Sequence, residues 1–210
     1  MTQLPGTRDG KDQRRPRKRR SAFLSASLIV ATAVATALLP ASSSATDARP
    51  SIAPEYDLKA AFLFNFAQFV EWPAEAFAAT NTPITIGVLG DDPFGASLDA
   101  LVAGETIRNR PLVIRRYHAV EEVEACHILF ISSSETSQLD RISRALAHRS
   151  ILTVGESKDF AARAGIIGFE LSQRRLRLSI NLSAANDARL TISSKLLRQA
   201  QIVKPSGGRP

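Results

Sequence analysis

Residues 83–90 read PITIGVLG, and residues 126–132 read CHILFIS. Both runs are almost entirely apolar and contain many β-branched residues, which is typical of strands that are buried on both faces of a parallel sheet. The first run is followed by Asp91, Asp92 and Pro93, which suit the start of a helix. These two runs therefore predict the centre of an α/β fold.

The alternation of strands and helices continues on both sides of this centre. The pattern predicts further strands over residues 112–117, 151–154, 166–171 and 176–182, and helices over 55–71, 94–102, 137–148 and 190–203, with short helical links at 120–123 and 159–162. The strands 166–171 and 176–182 flank a short polar turn, which indicates an antiparallel closing hairpin. We predict a single Rossmann-like three-layer sandwich in which helices cover both faces of a mainly parallel sheet.

The first 45 residues have the composition of an export signal. A basic cluster at residues 11–20 precedes an uncharged stretch at 22–39 and small residues at 41–45. This order predicts a secretory signal that is cleaved after Ala45 and a protein located in the periplasm. The alternative is an uncleaved anchor, because the apolar stretch approaches the roughly 20 residues that span a bilayer. Its many Ala, Ser and Thr residues favour the cleaved signal.

The rest of the chain divides by composition. We predict a leader at 46–54, one α/β domain at 55–203 and a disordered tail at 204–210. The net charge of +7 comes from the amino-terminal segment, since residues 46–210 hold 19 Lys and Arg against 18 Asp and Glu. A nearly neutral domain argues against nucleic-acid binding. A single cysteine, Cys126, excludes an internal disulfide.

The familiar catalytic and metal-binding motifs do not occur. The glycines after the first strand have the wrong spacing for a phosphate-binding loop or a dinucleotide fingerprint. Asp91 and Asp92 fit helix capping better than a phospho-acceptor, and residues 132–134 are serines without a nucleophile elbow. Cys126 and His127 are adjacent on a strand, so their side chains point to opposite faces and cannot share an ion. We predict no catalytic residues, no cofactor and no metal site.

The predicted first helix is rich in aromatic residues. Residues 56–72 hold six of the thirteen aromatics, and Leu58, Phe62, Phe66 and Phe69 share one helical face that we predict to be core. Phe64 falls on the polar side of the helix. It indicates either a partner surface or burial beneath another element of the same fold. The basic run at Arg174, Arg175 and Arg177 is typical of a solvated turn, with a binding patch as the alternative.

Several stretches, taken in order, resemble the YfiR family of periplasmic regulators. They are YDLKAAF (56–62), NF (65–66), EWP (71–73), ITIGVLGDDPFG (84–95), CHILFIS (126–132), LTVG (152–155), Phe160, GII (165–167), INL (180–182) and ISSKLL (192–197). The likeness covers residues 55–203. No single stretch is diagnostic, but the order and spacing of the stretches are specific.

The resemblance implies a non-enzymatic inhibitor. Proteins of this kind bind the periplasmic sensor region of an inner-membrane diguanylate cyclase and lower cyclic di-GMP and biofilm formation. An outer-membrane lipoprotein with a peptidoglycan-binding domain sequesters the inhibitor, and the inhibitor forms homodimers. Taking this resemblance with the sequence patterns, we predict these partner-binding residues: Phe64, Glu71, Trp72, Arg177 and Asn181.

The chain departs from the family at its cysteines. Cys126 matches a family cysteine, but the resemblance places its partner at Gly87 and a second pair near Ala161 and Gly168. A redox-tuned form of the mechanism is therefore not expected.

Three functions follow, in order of preference. The first is a protein-binding regulator of a membrane signalling enzyme. The second is a periplasmic small-ligand-binding module that serves a transporter or a sensor kinase. The third is a hydrolase that uses the serines at 132–134. The neighbouring genes would separate these hypotheses.

Overall fold

The computed structural model describes residues 52–173 and 175–206. The predicted signal, most of the leader and residues 207–210 lie outside the described residues. Within them the helices are α1 (Ile52–Phe69), α2 (Ala96–Val102), α3 (Leu139–Ala145), α4 (Phe160–Arg163), α5 (Leu182–Asp187) and α6 (Ser194–Leu197). The strands are β1 (Val70–Glu71), β2 (Ile84–Leu89), β3 (Thr106–Ile107), β4 (Arg110–Tyr117), β5 (Ile128–Ile131), β6 (Leu152–Gly155), β7 (Ile167–Ser172), β8 (Arg175–Asn181), β9 (Thr191–Ile192) and β10 (Ala200–Val203).

Eight of these strands form one sheet in the order β10-β8-β7-β6-β5-β2-β4-β3. Strands β4, β2, β5, β6 and β7 run parallel to one another, while β8 is antiparallel to β7 and β3 is antiparallel to β4. The predicted α/β class is confirmed, with a mainly parallel sheet and an antiparallel hairpin. A separate antiparallel pair, β1 with β9, joins the end of α1 to the carboxyl-terminal segment.

Each face of the sheet carries its own apolar cluster. On one face, α1 and α2 bury Phe66 and Leu98 against Phe130 and Phe169 of the sheet. On the other face, α3 and α4 contribute Leu139 and Phe160 to a second cluster. Because neighbouring residues of a strand point to opposite faces, the continuous apolar runs of β2 and β5 supply both clusters. The fold is a three-layer sandwich.

The predicted final helix at 190–203 is wrong. This segment holds strand β9, the short helix α6 and strand β10, which pairs parallel to β8. Its apolar residues are spaced as a helix would require, but two distant partners decide its structure. One is β1, which pairs with β9, and the other is the outer edge of β8. The pairing energy of a sheet edge is not visible in the local pattern.

The predicted core face of α1 is only partly right. Phe66 is fully buried, whereas Leu58 is 47% exposed, and Phe62 and Phe69 are half-buried. The residues that do face the core are displaced around the helix: Ala60, Leu63, Phe66 and Ala67. This displacement leaves Leu58 and part of Phe62 on the surface.

Candidate partner-binding surface

The crevice that binds ligands in most open α/β sheets is filled in this protein. Such sites lie beyond the carboxyl ends of the strands where the strand order reverses, which is between β2 and β5 here. The loop after β5 folds across this position. Ser134 Oγ accepts a hydrogen bond from the Asp91 backbone N–H at 3.1 Å, and Thr136 Oγ1 lies 2.7 Å from Ser157 Oγ. The polar groups in this crevice bind one another, and the loop packs closely against Gly90 at the end of β2.

The serines and aspartates at this edge have structural roles. Ser132 is buried and caps the turn that follows β5. Asp92 accepts a hydrogen bond from the Phe94 backbone N–H at 2.8 Å, and its second oxygen accepts one from Arg116 Nε at 2.6 Å. None of the three histidines, all of which are described, forms a hydrogen bond with these serines. Ser134 Oγ donates instead to the carboxylate of Glu135, at 3.4 Å.

A buried ion cluster fastens α1 to the end of β6. Lys59 is 3% exposed, and its Nζ contacts carboxylate oxygens of Glu156 at 2.5 Å and Glu55 at 2.6 Å. The Tyr56 hydroxyl donates to Glu156 at 3.2 Å. Burial pulls the pKa of Lys59 down, but its hydrogen bonds to Glu156 and Glu55 outweigh that effect and raise the pKa overall. One lysine thus contacts two carboxylates, and these hydrogen bonds satisfy the buried ammonium group of Lys59.

A line of apolar side chains remains uncovered on the α1 face of the sheet. We call it the apolar strip and define it as Leu58, Phe62, Leu171, Leu176 and Ile202. Three of its members, Leu58, Leu171 and Ile202, are 47%, 57% and 47% exposed. Among the described residues, Leu101 is the only other large hydrophobic residue with such exposure, at 36%.

Strand register places Leu171 directly beside Leu176 and places Ile202 about 13 Å further along the sheet. Leu171 pairs with Leu176, and Ile202 pairs with Ile180, which lies four residues beyond Leu176 on the same strand face. Phe62 of α1 lies 6.1 Å, between ring centroids, from Phe169, two residues before Leu171. The strip is therefore a row of exposed positions between the β7–β8 hairpin, which carries Leu171 and Leu176, and β10, the outermost strand at that edge. Exposed apolar positions of this kind are candidates for protein contact.

The predicted residue Phe64 lies on the other side of α1. Its ring is half-buried and packs against the core cluster. It also lines a shallow groove with Gln68 and the segment around β3. Another element thus covers part of the ring and the rest faces solvent, so the partner surface at Phe64 stays a prediction. Glu71 is exposed beside it and forms a surface ion pair with Arg108 at 3.6 Å.

Trp72 is part of an aromatic clamp around His127. Its Nε1 donates to the His127 carbonyl at 3.1 Å, and Phe77 stacks on the His127 ring with centroids 4.6 Å apart. His127 Nδ1 accepts from the Thr85 backbone N–H at 3.1 Å, while Nε2 faces the Ala76 carbonyl at 3.2 Å. These partners require the neutral imidazole with its proton on Nε2, and burial lowers the pKa of His127 in the same direction.

The two remaining predicted residues differ in accessibility. Arg177 is exposed on β8, directly across from Glu170 and on the sheet face opposite the apolar strip. Asn181 is 5% exposed, donates to the Ala161 carbonyl at 2.8 Å and caps α5 by accepting from the Ala184 backbone N–H at 3.0 Å. Its amide is fully used inside the fold. We therefore leave Asn181 out of the surface proposed for a partner.

The comparison with known families agrees with this architecture. Residues 56–201 match a family described as YfiR/HmsC-like, which is well over half of the chain. The chain belongs to the YfiR/HmsC-like family. None of the curated proteins with which it was compared matches it.

YfiR/HmsC-like proteins are regulators rather than enzymes, and they act in the periplasm. Membership is therefore consistent with a periplasmic regulator of a diguanylate cyclase. In the part of the chain that the structure describes, no helix combines the length and apolarity needed to cross a bilayer.

The cysteine positions implied by the resemblance are adjacent in space. A Cβ built on Gly87 would lie 2.9 Å from Cys126 Sγ, and one built on Gly168 would lie 3.5 Å from the Ala161 Cβ. The second value falls within the range of disulfide-bonded Cβ pairs, about 3.5–4.5 Å. The two implied pairs are therefore close in space in this YfiR/HmsC-like chain, which has one of the four cysteines.

Sequence reasoning missed the apolar strip for two reasons. Ile202 lay in the segment predicted to be helical, so its exposure on an edge strand was not considered. Leu171 and Leu176 were assigned to the correct strands, but a strand residue is exposed only if no helix covers it, and helix coverage is a property of the whole fold. One local signal was available, since the two leucines flank a hairpin turn that projects beyond the neighbouring elements.

Proposed function

We propose that this YfiR/HmsC-like protein is a periplasmic negative regulator that binds the periplasmic region of an inner-membrane diguanylate cyclase and lowers cyclic di-GMP. The family, the amino-terminal composition of a secretory signal and the filled ligand crevice support this role. The observation that carries the proposal is the apolar strip.

The strip has the properties that a protein partner needs. Interface energy is concentrated in a few apolar anchors that become fully buried on binding. Burying an exposed leucine or isoleucine side chain contributes about 1.5–3 kcal/mol, and 1.4 kcal/mol changes an equilibrium tenfold. Leu171 and Ile202 together can therefore supply a large share of the affinity of a regulatory contact.

Repression requires a difference in affinity between two states of the cyclase. A ligand that binds both states equally shifts nothing, so the inhibitor must bind the inactive state better. We propose that the strip contacts a surface that the cyclase exposes only when it is inactive. The exposed Arg177 and Arg175 lie on the other face of the same hairpin and would bind a part of the cyclase that extends around this edge of the sheet.

The other partners predicted from the resemblance belong to the same proposal. An outer-membrane peptidoglycan-binding lipoprotein would release the cyclase by competing for the inhibitor. A homodimer would place two copies of the strip on one assembly and allow two cyclase protomers to be held at once. We propose a second contact region on the side of α1 away from the strip and in the segment that follows α1. It consists of Phe64, Glu71 and Trp72.

Capture of the partner from membranes tests the proposal. The tagged wild-type protein should recover a membrane protein with a GGDEF domain from solubilised membranes of its own organism. Leu171→Glu and Ile202→Glu should each reduce recovery at least about tenfold, because each places a charge on a surface that must be desolvated. Both sites are exposed, so we expect the fold to tolerate the change.

Leu101→Glu is the matched control, since Leu101 is an exposed leucine on α2 outside the strip. It should recover the cyclase as well as the wild type does. Equal recovery by all three variants would remove the strip from the proposal, and recovery of a transporter or a kinase in place of a cyclase would favour the ligand-binding alternative.

A further inference from the structure

A large cleft lies at the amino ends of the parallel strands, at the end of the sheet opposite the crevice between β2 and β5. Its volume is about 640 Å³, and its walls come from the starts of β2, β5 and β6, the middle of β4 and the linkers that follow α3 and α5. This volume is within the range of small-molecule sites, about 300–1,000 Å³. The cleft shares no residue with the apolar strip.

Three arginines from three separate elements line this cleft. Arg115 comes from β4, Arg149 from the segment before β6 and Arg189 from the segment after α5. Arg149 is held by a hydrogen bond from Nη2 to the Glu124 carbonyl at 2.6 Å, and Arg189 lies 3.7 Å from Glu75. Arg115 has no ion pair or hydrogen-bond partner for its side chain among the described residues. The lining carries one more arginine than carboxylates, since Glu75 and Glu124 are its only acidic members.

Two of the residues that line the cleft have a left-handed backbone conformation. His148 and Arg189, which both line the cleft, have positive φ values of 63° and 57°. Each follows a helix, at the place where glycine normally adopts the left-handed conformation. The chain has a basic residue instead of glycine at both places.

An unsatisfied hydroxyl lies behind the same wall. Tyr117 is 6% exposed, and its hydroxyl has no hydrogen-bond partner among the described residues. Burial raises the pKa of Tyr117, and four cleft residues lie near it, namely Cys126, Arg115, Arg149 and Glu124. A buried donor without an acceptor is uncommon in a native fold, although Tyr117 itself does not line the cleft.

We infer that this cleft binds a small anionic ligand, a carboxylate or phosphate ester on an apolar body. The arginines would bind the anionic group through charge-assisted hydrogen bonds. The apolar body would lie against the side chains of Ala76, Pro83, Val113 and Ile151. This inference does not depend on the identity of the protein partner, and it gives the regulator a site for a small-molecule signal.

Calorimetric titration tests the inference, using the processed protein purified from its own organism. The probes are phenyl phosphate and phenylacetate, which combine an anionic group with an apolar body. Inorganic phosphate, which has only the anionic group, and benzyl alcohol, which has only the apolar body, are the single-feature probes. We expect at least one of the two combined probes to bind below about 1 mM, and each single-feature probe to bind at least about tenfold more weakly. Trp72, the single tryptophan, donates to the carbonyl of cleft residue His127, so its fluorescence should report the same binding curve.

Variants separate a built site from general attraction of anions. Arg115→Met should weaken the combined probe at least about tenfold, the loss expected for one charge-assisted hydrogen bond. Arg175→Met removes an exposed arginine from β8, outside the cleft, and should leave affinity unchanged. Absence of binding by every probe at about 10 mM, or equal affinity in Arg115→Met and Arg175→Met, would overturn the inference.

Discussion

At the scale of single residues, His127 shows how one side chain can connect several elements. It lies just before β5, bonds the start of β2 through Thr85 and holds the segment after β1 through Ala76, Trp72 and Phe77. All these contacts need an uncharged ring. Protonation would place a proton on Nδ1 against the Thr85 backbone N–H, which donates to that nitrogen.

We therefore expect the protein to become less stable as the pH is lowered, because His127 is uncharged in the folded state. Its folded pKa lies below the ordinary value of 6.5, so below about pH 6.5 the unfolded chain takes up a proton that the folded chain does not. The free energy of unfolding should decrease as pH falls below that point, at up to about 1.4 kcal/mol per pH unit. Urea unfolding at a series of pH values between about 7.5 and 5.5 measures it.

His118→Gln and His148→Gln serve as controls, because both histidines are exposed and should leave this slope unchanged. His127→Gln should abolish it. If that variant does not fold, an NMR titration of the wild-type imidazoles decides the matter, and a His127 that titrates at or above 6.5 would contradict the prediction.

Cys126 gives a second prediction at this scale. The thiol is 7% exposed, and burial raises its pKa to about 12. The thiolate is the reactive form, so iodoacetamide at pH 8 should not modify the folded protein but should modify the urea-unfolded chain. Thermal melts with and without reductant should coincide. Rapid alkylation of the native protein, or a melt that reductant shifts downward, would show that Cys126 is accessible or cross-linked.

At the scale of elements, the sequence is most informative where a segment is buried on both faces. The runs 83–90 and 126–132 predict β2 and β5 to within two residues, because only a central strand tolerates apolar side chains on both sides. The sequence is least informative for residues 190–203, where β10 exists because β8 offers it an edge. The buried face of α1 was predicted only in part for the same reason, because it depends on which distant elements pack against the helix.

Two phenylalanines of α1 separate core from surface. Phe66 is fully buried and stacks on Phe169 with ring centroids 6.0 Å apart, so Phe66→Ala should cost about 3–5 kcal/mol. Phe64 is half-buried, and Phe64→Ala should cost about 1 kcal/mol. Urea midpoints of the two variants measure the difference. Equal losses would show that Phe64 belongs to the core and would remove it from the second proposed contact region.

At the scale of the whole molecule, the proposed function depends on the predicted export signal. The domain must reach the periplasm to bind its partner, and the residues predicted to direct it there lie outside the described part of the chain. We expect the exported protein to begin near Thr46, because residues 11–45 have the basic, apolar and small-residue order of a cleaved signal. Amino-terminal sequencing of periplasmic protein checks this, and a retained Met1 would support the anchor alternative.

The candidate site could be predicted from the sequence only in outline. The family resemblance pointed to a protein-binding role, and the lack of catalytic motifs agreed with it. The apolar strip needed the structure, because it joins α1, the β7–β8 hairpin and β10, which are more than 140 residues apart along the chain at their extremes. Surfaces assembled from distant segments have no local sequence signature.

The most direct test of the central claim is the cellular concentration of cyclic di-GMP in a strain that lacks this gene and expresses the partner cyclase. Deletion should raise the concentration, and an exported wild-type copy or the Leu101→Glu control should restore it. An exported Leu171→Glu, Ile202→Glu double variant, present at the same level, should leave it high. Unchanged cyclic di-GMP in the deletion strain would contradict the regulator, and full restoration by the double variant would contradict the apolar strip as its binding surface.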